Sequence, residues 1–195
     1  MSVKENPQLT KYILHGGCTS KSKNKDNINF FKETTKDCKR KANVLLIYFA
    51  DYRRTWEKHY KYDSKMISKM KKKSLKVEFQ IAEVKTLREQ IKWADVIYIR
   101  GGHTRMLVKK LLTVKNWKTL IPGKTIAASS AGTVFSRYVY FHTEGEIVKG
   151  LGLLNLKVMC HYEPTQIYKV KKLADVNGSI PLLVLPNYKY QIFYK

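Results

Sequence analysis

The stretch Lys124-Thr-Ile-Ala-Ala-Ser-Ser-Ala-Gly-Thr133 gives the clearest indication of the fold. A short apolar run leads into two serines, and the small residues Ala131 and Gly132 follow at once. This order is typical of a buried strand that turns sharply into a helix, with the turn residue strained and projecting above the sheet edge. The backbone N–H groups at the start of that helix would point to the same place and could hold an oxyanion. Ser130, the turn residue, is therefore a candidate nucleophile.

The motif departs from the complete nucleophile elbow, Gly-x-Ser-x-Gly, at its first glycine, where this chain has Ala128. Ala128 and Ala131 are still small enough for a tight turn. The alternative interpretation of Ser130 is a polar helix cap, because serine is common at that position. The motif alone leaves both interpretations open.

Outward from this stretch, apolar runs alternate with helical patterns. Strands are predicted at residues 12–14, 43–50, 76–81, 94–99, 124–128 and 156–160, helices at 27–39, 53–72, 86–93 and 104–112, and a polar loop at 20–29. The continuous apolar run at 43–50 is typical of a strand buried on both faces. The alternation predicts an α/β fold, a mostly parallel sheet with helices on both faces. We expect residues 1–195 to form a single domain.

Four polar or glycine-containing segments fall at the ends of predicted strands, where ligands collect in parallel sheets. They are His15-Gly-Gly17, Ala50-Asp51, Gly101-Gly-His-Thr104 and Ser129-Ser130. The glycine pairs permit close approach of the backbone to a ligand. Neither pair matches a dinucleotide fingerprint or a P-loop, so the sequence disfavours a nucleotide site.

A histidine that could serve Ser130 lies at the end of the next predicted strand. His161 follows residues 156–160 directly, whereas His142 lies only twelve positions past Ser130 and is the alternative. Cys160 and His161 do not form a pair by adjacency, because neighbours on a strand point to opposite faces. The chain has no HExxH or CxxC spacing, so we expect no metal site.

The net charge of +23 suggests contact with polyanions, but the basic residues are mostly lysines spread along the whole chain. That distribution favours non-specific adsorption at low salt over specific nucleic-acid binding. Three cysteines, an N-terminus without an apolar signal segment and the absence of any run near 18 apolar residues predict a cytoplasmic protein with no membrane partner.

Taken together, the motifs resemble those of the aspartyl dipeptidase (peptidase E) family of serine peptidases. Ile99-Arg-Gly-Gly-His-Thr104 is similar to its Gly-Gly-Asn-Thr loop, and Ala128-Ser-Ser-Ala-Gly132 is similar to its Ser-Ala-Gly elbow. Gly150-Leu-Gly-Leu-Leu154 and Cys160-His-Tyr162 resemble its Gly-Leu-Gly-Leu segment and its Pro-His-Tyr/Phe histidine. The resemblance covers most of the chain and implies the class I glutamine amidotransferase-like, flavodoxin-like architecture.

By position, the resemblance implies that Ser130 is the nucleophile and His161 the general base, with no cofactor required. It also implies that Ala131 and Gly101 or Gly102 supply the N–H groups of an oxyanion hole.

The third member of the implied triad is less defined. Glu144 and Glu146 bracket the place of the acidic residue of the family, with Glu144 nearer the expected spacing. A site with neither, a dyad, stays open. The segment at 185–189 lacks the acidic and glycine signature of the family, and we expect the chain to end a strand or two early.

The substrate implied by the resemblance is a small peptide, such as a dipeptide with an N-terminal aspartate. His103, Thr104 and Arg105 are the candidate substrate-binding residues, and Arg100 is a second cation beside the same loop. An arginine can bind a carboxylate through two hydrogen bonds. The rival hypothesis is a non-catalytic binding protein on the same scaffold, because a fold does not fix a function. A monomer or a homodimer is expected.

Overall fold

The computed structural model describes residues 8–21, 23–141 and 144–195. Within these ranges the strands are β1 (Lys11–His15), β2 (Lys41–Ile47), β3 (Lys76–Ile81), β4 (Val96–Ile99), β5 (Thr125–Ser129), β6 (Ser136–Phe141), β7 (Glu146–Lys149), β8 (Leu154–Tyr162), β9 (Leu182–Pro186) and β10 (Tyr190–Tyr194). The helices are α1 (Lys25–Thr34), α2 (Trp56–Met70), α3 (Leu87–Trp93), α4 (Thr104–Leu111), α5 (Trp117–Leu120) and α6 (Ile167–Asp175). None of these helices has the length and apolar character needed to cross a membrane.

The strands divide between two sheets. The large sheet has the order β10-β1-β5-β4-β2-β3, and the small sheet has the order β7-β6-β8-β9. Each is parallel except at one edge, where β10 runs antiparallel to β1 and β7 runs antiparallel to β6. The predicted α/β class with mostly parallel strands is confirmed, but the strands form two sheets where the sequence suggested one.

The residues of strand β1 are covered on both faces of the large sheet. Lys11 reaches α1 on one face, where its amine lies 3.0 Å from the Glu33 carboxylate. Tyr12 points to the other face and packs against Phe135, with ring centroids 6.5 Å apart. All five residues of β1 are buried, which agrees with a strand covered on both sides.

The segment after Ser130 differs from the expected helix. It is a six-residue 3-10 turn, Ser130–Phe135, and strand β6 follows directly. Gly132, Thr133 and Val134 are weak helix formers, and the Thr133 hydroxyl donates to the Ser130 carbonyl at 2.8 Å. The tight turn is as predicted, but the full helix is wrong, and the short turn lets the chain leave the large sheet.

Helix α1 begins inside the predicted polar loop at 20–29 and ends before residue 39. The cause is Asn24, whose side-chain oxygen accepts hydrogen bonds from the backbone N–H groups of Asp26 and Asn27. An asparagine in this role starts a helix even within a polar stretch. The loop before the helix is therefore short, and it leads from the end of β1 past the candidate site.

Candidate active site

The carboxyl ends of β1, β4, β5 and β8 and the turn after β9 enclose a cavity of about 620 Å³. Two of the four predicted strand-end segments contribute to its described lining, those at 101–104 and 129–130. The segment at 15–17 does not, although Cys18 directly after it does. The segment at 50–51 does not either, and the Asp51 carboxylate instead pairs with His59 at 2.8 Å. Across the described ranges, no group of three or more His, Cys, Asp or Glu side chains is arranged to hold a metal ion.

Ser130 lies at the end of β5 with φ of +50°, an unusual value for a residue with a side chain. Its Oγ lies 2.7 Å from Nε2 of His161. The neighbouring Ser129 is buried, and its Oγ lies 3.5 Å from a ring nitrogen of a different histidine, His15. The turn therefore directs only the Ser130 hydroxyl to His161.

His161 is held in place by the loop that follows β1. Its backbone N–H donates to the Gly16 carbonyl at 2.9 Å, and its own φ is +54°. The imidazole lies against Gly17, where an added Cβ would be 2.0 Å from the ring carbon Cε1. Gly17 also has φ of +117°, so its lack of a side chain serves both the backbone conformation and the imidazole. The alternative base, His142, lies outside the described residues.

The other nitrogen of His161 meets a residue that the sequence analysis missed. Nδ1 lies 2.7 Å from Oδ1 of Asn187, in the turn between β9 and β10. An amide oxygen is an acceptor, so Nδ1 carries the proton, and Nε2 is left to accept from Ser130. The available signal was a polar residue directly after an apolar run, the pattern that marked the other strand ends.

Glu144 and Glu146 are placed elsewhere. Glu144 lies 3.3 Å from Nε2 of His103 and 3.2 Å from Nε of Arg105, and Glu146 forms an ion pair with Arg105. The cation at the start of α4 attracts both carboxylates. Asn187 occupies the position at His161 Nδ1 that was expected for Glu144, and that expectation is corrected.

The structure places some of the predicted substrate-binding residues in the lining of the cavity and others outside it. Thr104 lies in the described lining of the cavity, whereas His103 and Arg105 do not and instead contact Glu144. Arg100 does line the cavity, and its Nη1 lies 2.6 Å from Oδ1 of the fully buried Asp63. The cation that faces the site is therefore Arg100, held from behind by a carboxylate.

A comparison with models of protein families matches residues 12–190 to peptidase family S51. The chain belongs to this family. It is therefore a serine peptidase, as the resemblance implied. No curated protein sequence matches the S51 chain.

Solved structures agree with the fold of this S51 peptidase. It is similar to a peptidase from an acI-B1 Actinobacterium, with a TM-score of 0.66 and 19% identity over 95% of this chain and 84% of that one. It is also similar to a putative peptidase E protein from Listeria monocytogenes EGD-e, with a TM-score of 0.64 and 17% identity over 96% of this chain and 98% of that one. At these identities the likeness establishes the architecture.

Of the residues expected to form an oxyanion hole in the S51 peptidase, Gly101 lies against Ser130 and Gly102 lies against Ala50. An added Cβ at Gly101 would lie 2.7 Å from Cβ of Ser130, so glycine is needed for this close approach. In the part of the chain that the structure describes, the N–H groups of Gly101 and Gly102 donate no backbone hydrogen bond. Ala131 follows Ser130 directly in the 3-10 turn.

A second histidine, His15, supports the loop that contacts the His161 imidazole. His15 is buried, and burial lowers its pKa to about 4, so the ring is neutral near pH 7. Its Nδ1 accepts from the Gly17 N–H at 3.0 Å, and its Nε2–H donates to Oδ1 of Asn27 at 2.9 Å. Asn27 in turn donates to the Cys18 carbonyl at 2.9 Å. These bonds fix the glycine-containing loop on which the His161 imidazole rests.

Proposed function

We propose that this peptidase hydrolyses small peptides with Ser130 as the nucleophile and His161 as the general base. The observation that carries the proposal is the 2.7 Å contact between Ser130 Oγ and His161 Nε2 at a strained turn. A serine hydroxyl is weakly nucleophilic until an adjacent base takes its proton as it attacks the carbonyl. His161 then returns the proton to the leaving amine, and water hydrolyses the acyl-enzyme by the same steps in reverse.

Asn187 acts in this mechanism as the orienting group. Its oxygen accepts the Nδ1–H of His161, which keeps the imidazole in the tautomer whose Nε2 can accept the proton of Ser130. An amide carries no charge, so it orients the ring without the electrostatic stabilisation that a carboxylate would give the imidazolium. The arrangement corresponds to Ser-His-Asn, and no cofactor enters the steps.

The N–H groups beside Ser130 stabilise the tetrahedral intermediate. Ala131 follows the nucleophile in the turn, and Gly101 approaches it from the end of β4, with Gly102 next in the same loop. Backbone donors held in position before the reaction lower the barrier because they need no reorganisation as charge develops.

The cavity is suited to a short zwitterionic peptide. Apart from His161, the charged side chains of its described lining are Arg100 and Glu163. Arg100 would bind an aspartate side chain, because its guanidinium is held by Asp63 and offers further N–H donors. Glu163, held by the backbone N–H of Gln166, would bind the α-ammonium group. We therefore propose an exopeptidase that prefers dipeptides with an N-terminal aspartate.

The proposed compartment is the cytoplasm. Cys18, Cys38 and Cys160 are all unpaired, and Cys18 lies in the lining of the cavity. Free thiols persist where the environment is reducing.

The experiment that tests the nucleophile is labelling with a fluorophosphonate probe, together with hydrolysis of Asp-Leu. Ser130→Ala should abolish the label and lower kcat by ~10³-fold or more, because it removes the hydroxyl that lies 2.7 Å from His161 Nε2. The matched control is Ser129→Ala, which should label as the parent does. Labelling that survives in Ser130→Ala would mean that another residue is the nucleophile, whereas a parent that neither labels nor hydrolyses peptides would support the non-catalytic binding protein instead.

The experiment that tests the substrate compares Asp-Leu, Ala-Leu and N-acetyl-Asp-Leu. The parent should favour Asp-Leu by about tenfold or more, as expected for a charged hydrogen bond. Acetylation should raise KM, because it removes the charge that Glu163 binds. Arg100→Gln is combined with Asp63→Asn, since a buried carboxylate without its cation would destabilise the fold.

This double variant should lose the preference for Asp-Leu. Arg105→Gln is the matched control, because Arg105 lies beside the same loop but outside the described lining, and it should keep the preference. Equal turnover of Asp-Leu and Ala-Leu by the parent would contradict the acidic pocket.

A further inference from the structure

An asparagine next to a catalytic histidine has two possible orientations, and only one supports catalysis. With Oδ1 toward Nδ1 of His161, the ring carries its proton on Nδ1 and Nε2 accepts from Ser130. With the amide reversed, its N–H₂ group would donate to Nδ1, and the ring proton would move to Nε2. His161 would then be unable to take the proton of Ser130. The Asn187 amide therefore needs a group that selects its orientation.

Cys18 provides such a group. Its Sγ lies 3.3 Å from Oδ1 of Asn187, the same oxygen that lies 2.7 Å from His161 Nδ1. A thiol is a donor, although a weak one, so its S–H favours the amide oxygen at this position. The two donors, S–H and Nδ1–H, thus converge on one acceptor, and both select the orientation that leaves Nε2 available.

The position of Cys18 is itself fixed by hydrogen bonds at the site. Its carbonyl accepts from the Asn27 side chain at 2.9 Å, and the neighbouring Gly17 carbonyl accepts from the Tyr188 N–H at 3.1 Å. Tyr188 is the residue directly after Asn187. The loop after β1 and the turn after β9 are therefore joined by both a backbone and a side-chain hydrogen bond, which keeps the thiol and the amide at a constant distance.

We propose that Cys18 is a positioning residue of this peptidase, acting on His161 through Asn187. The inference rests on the proposed function of Ser130 and His161. It gives a thiol a role in a serine mechanism without any covalent step: the S–H remains a proton donor throughout the reaction.

The test is a double-mutant cycle with Asp-Leu as the substrate. Cys18→Ala should lower kcat about five- to tenfold, the value of one hydrogen bond, with KM changed less than about twofold. Cys18→Ser keeps a donor and should restore most of the lost kcat. In the Asn187→Ala background, Cys18→Ala should have no further effect, because the group through which it acts is gone. Cys38→Ala is the control for removal of a thiol outside the described lining of the cavity.

Two results would overturn the inference: a Cys18→Ala enzyme with the kcat of the parent, or an equal loss of kcat in the presence and absence of Asn187. A merely structural role for Cys18 would give the second result together with a lower Tm. These failures are distinct from failure of the proposed function, in which the parent itself would not label with fluorophosphonate at Ser130.

Discussion

Gly17 is the residue on which the position of His161 most directly depends. We predict that Gly17→Ala lowers kcat by on the order of 10²-fold, because a Cβ there would collide with the imidazole and displace it from Ser130. The backbone is also strained for alanine at φ of +117°. Gly178→Ala is the matched control, since a Cβ at Gly178 would meet nothing within 4 Å. The rate of fluorophosphonate labelling measures the effect, and parental labelling of Gly17→Ala would contradict the placement of the ring.

The residues of the site were predictable from sequence to different extents. Ser130 and His161 belong to local motifs at the ends of buried strands, so a short stretch of sequence was enough to propose each. Asn187 was not predictable in this way, because an asparagine is common in turns and its role depends on a histidine 26 positions away. Glu144 was placed wrongly for a related reason: its spacing from Ser130 was suitable, but Arg105 attracts it.

At the scale of elements, His15 joins β1 to α1, and we predict that it makes the fold sensitive to acid. Its pKa is lowered to about 4 in the fold from 6.5, so the unfolded chain binds a proton first as pH falls. His15 therefore makes its full contribution to the free energy of unfolding above pH 6.5, and that contribution falls to zero by about pH 4. The predicted loss is about 3 kcal/mol of the free energy of unfolding over that window.

Urea unfolding at a series of pH values measures this loss. His15→Gln lacks the titrating ring, so its free energy of unfolding should fall less steeply than that of the parent between pH 6.5 and 4. Above the window the two proteins should show the same dependence on pH, which serves as an internal control. Equal slopes within the window would mean that His15 is not the titrating group.

The large sheet was more predictable than the small one. Its central strands β2, β4 and β5 are buried runs with little polar interruption, and such runs are recognised directly. Strand β7 is short and half-exposed, and the edge strand β10 is also only partly buried, so neither produces a continuous apolar run. The second sheet was missed because β6 follows the nucleophile turn, where a helix was expected.

At the scale of the whole molecule, the charge of +23 should raise the local concentration of anionic substrates. We predict that kcat/KM for Asp-Leu, which carries net negative charge, falls several-fold when salt is raised from ~20 to ~200 mM. The corresponding value for Ala-Leu, which is neutral overall, should change little. Steady-state kinetics of both dipeptides across the salt series provide the measurement, and parallel responses would show that the general field does not steer substrate.

The two sheets divide the proposed catalytic groups between them. Ser130 follows a strand of the large sheet, His161 ends a strand of the small sheet, and Asn187 lies where the chain crosses from one to the other. During folding, neither sheet alone can make the enzyme competent, however complete its own hydrogen bonding. The rate at which hydrolysis recovers after denaturation therefore measures the docking of the two sheets. Spectroscopic measures of helix and strand content are least sensitive to that event.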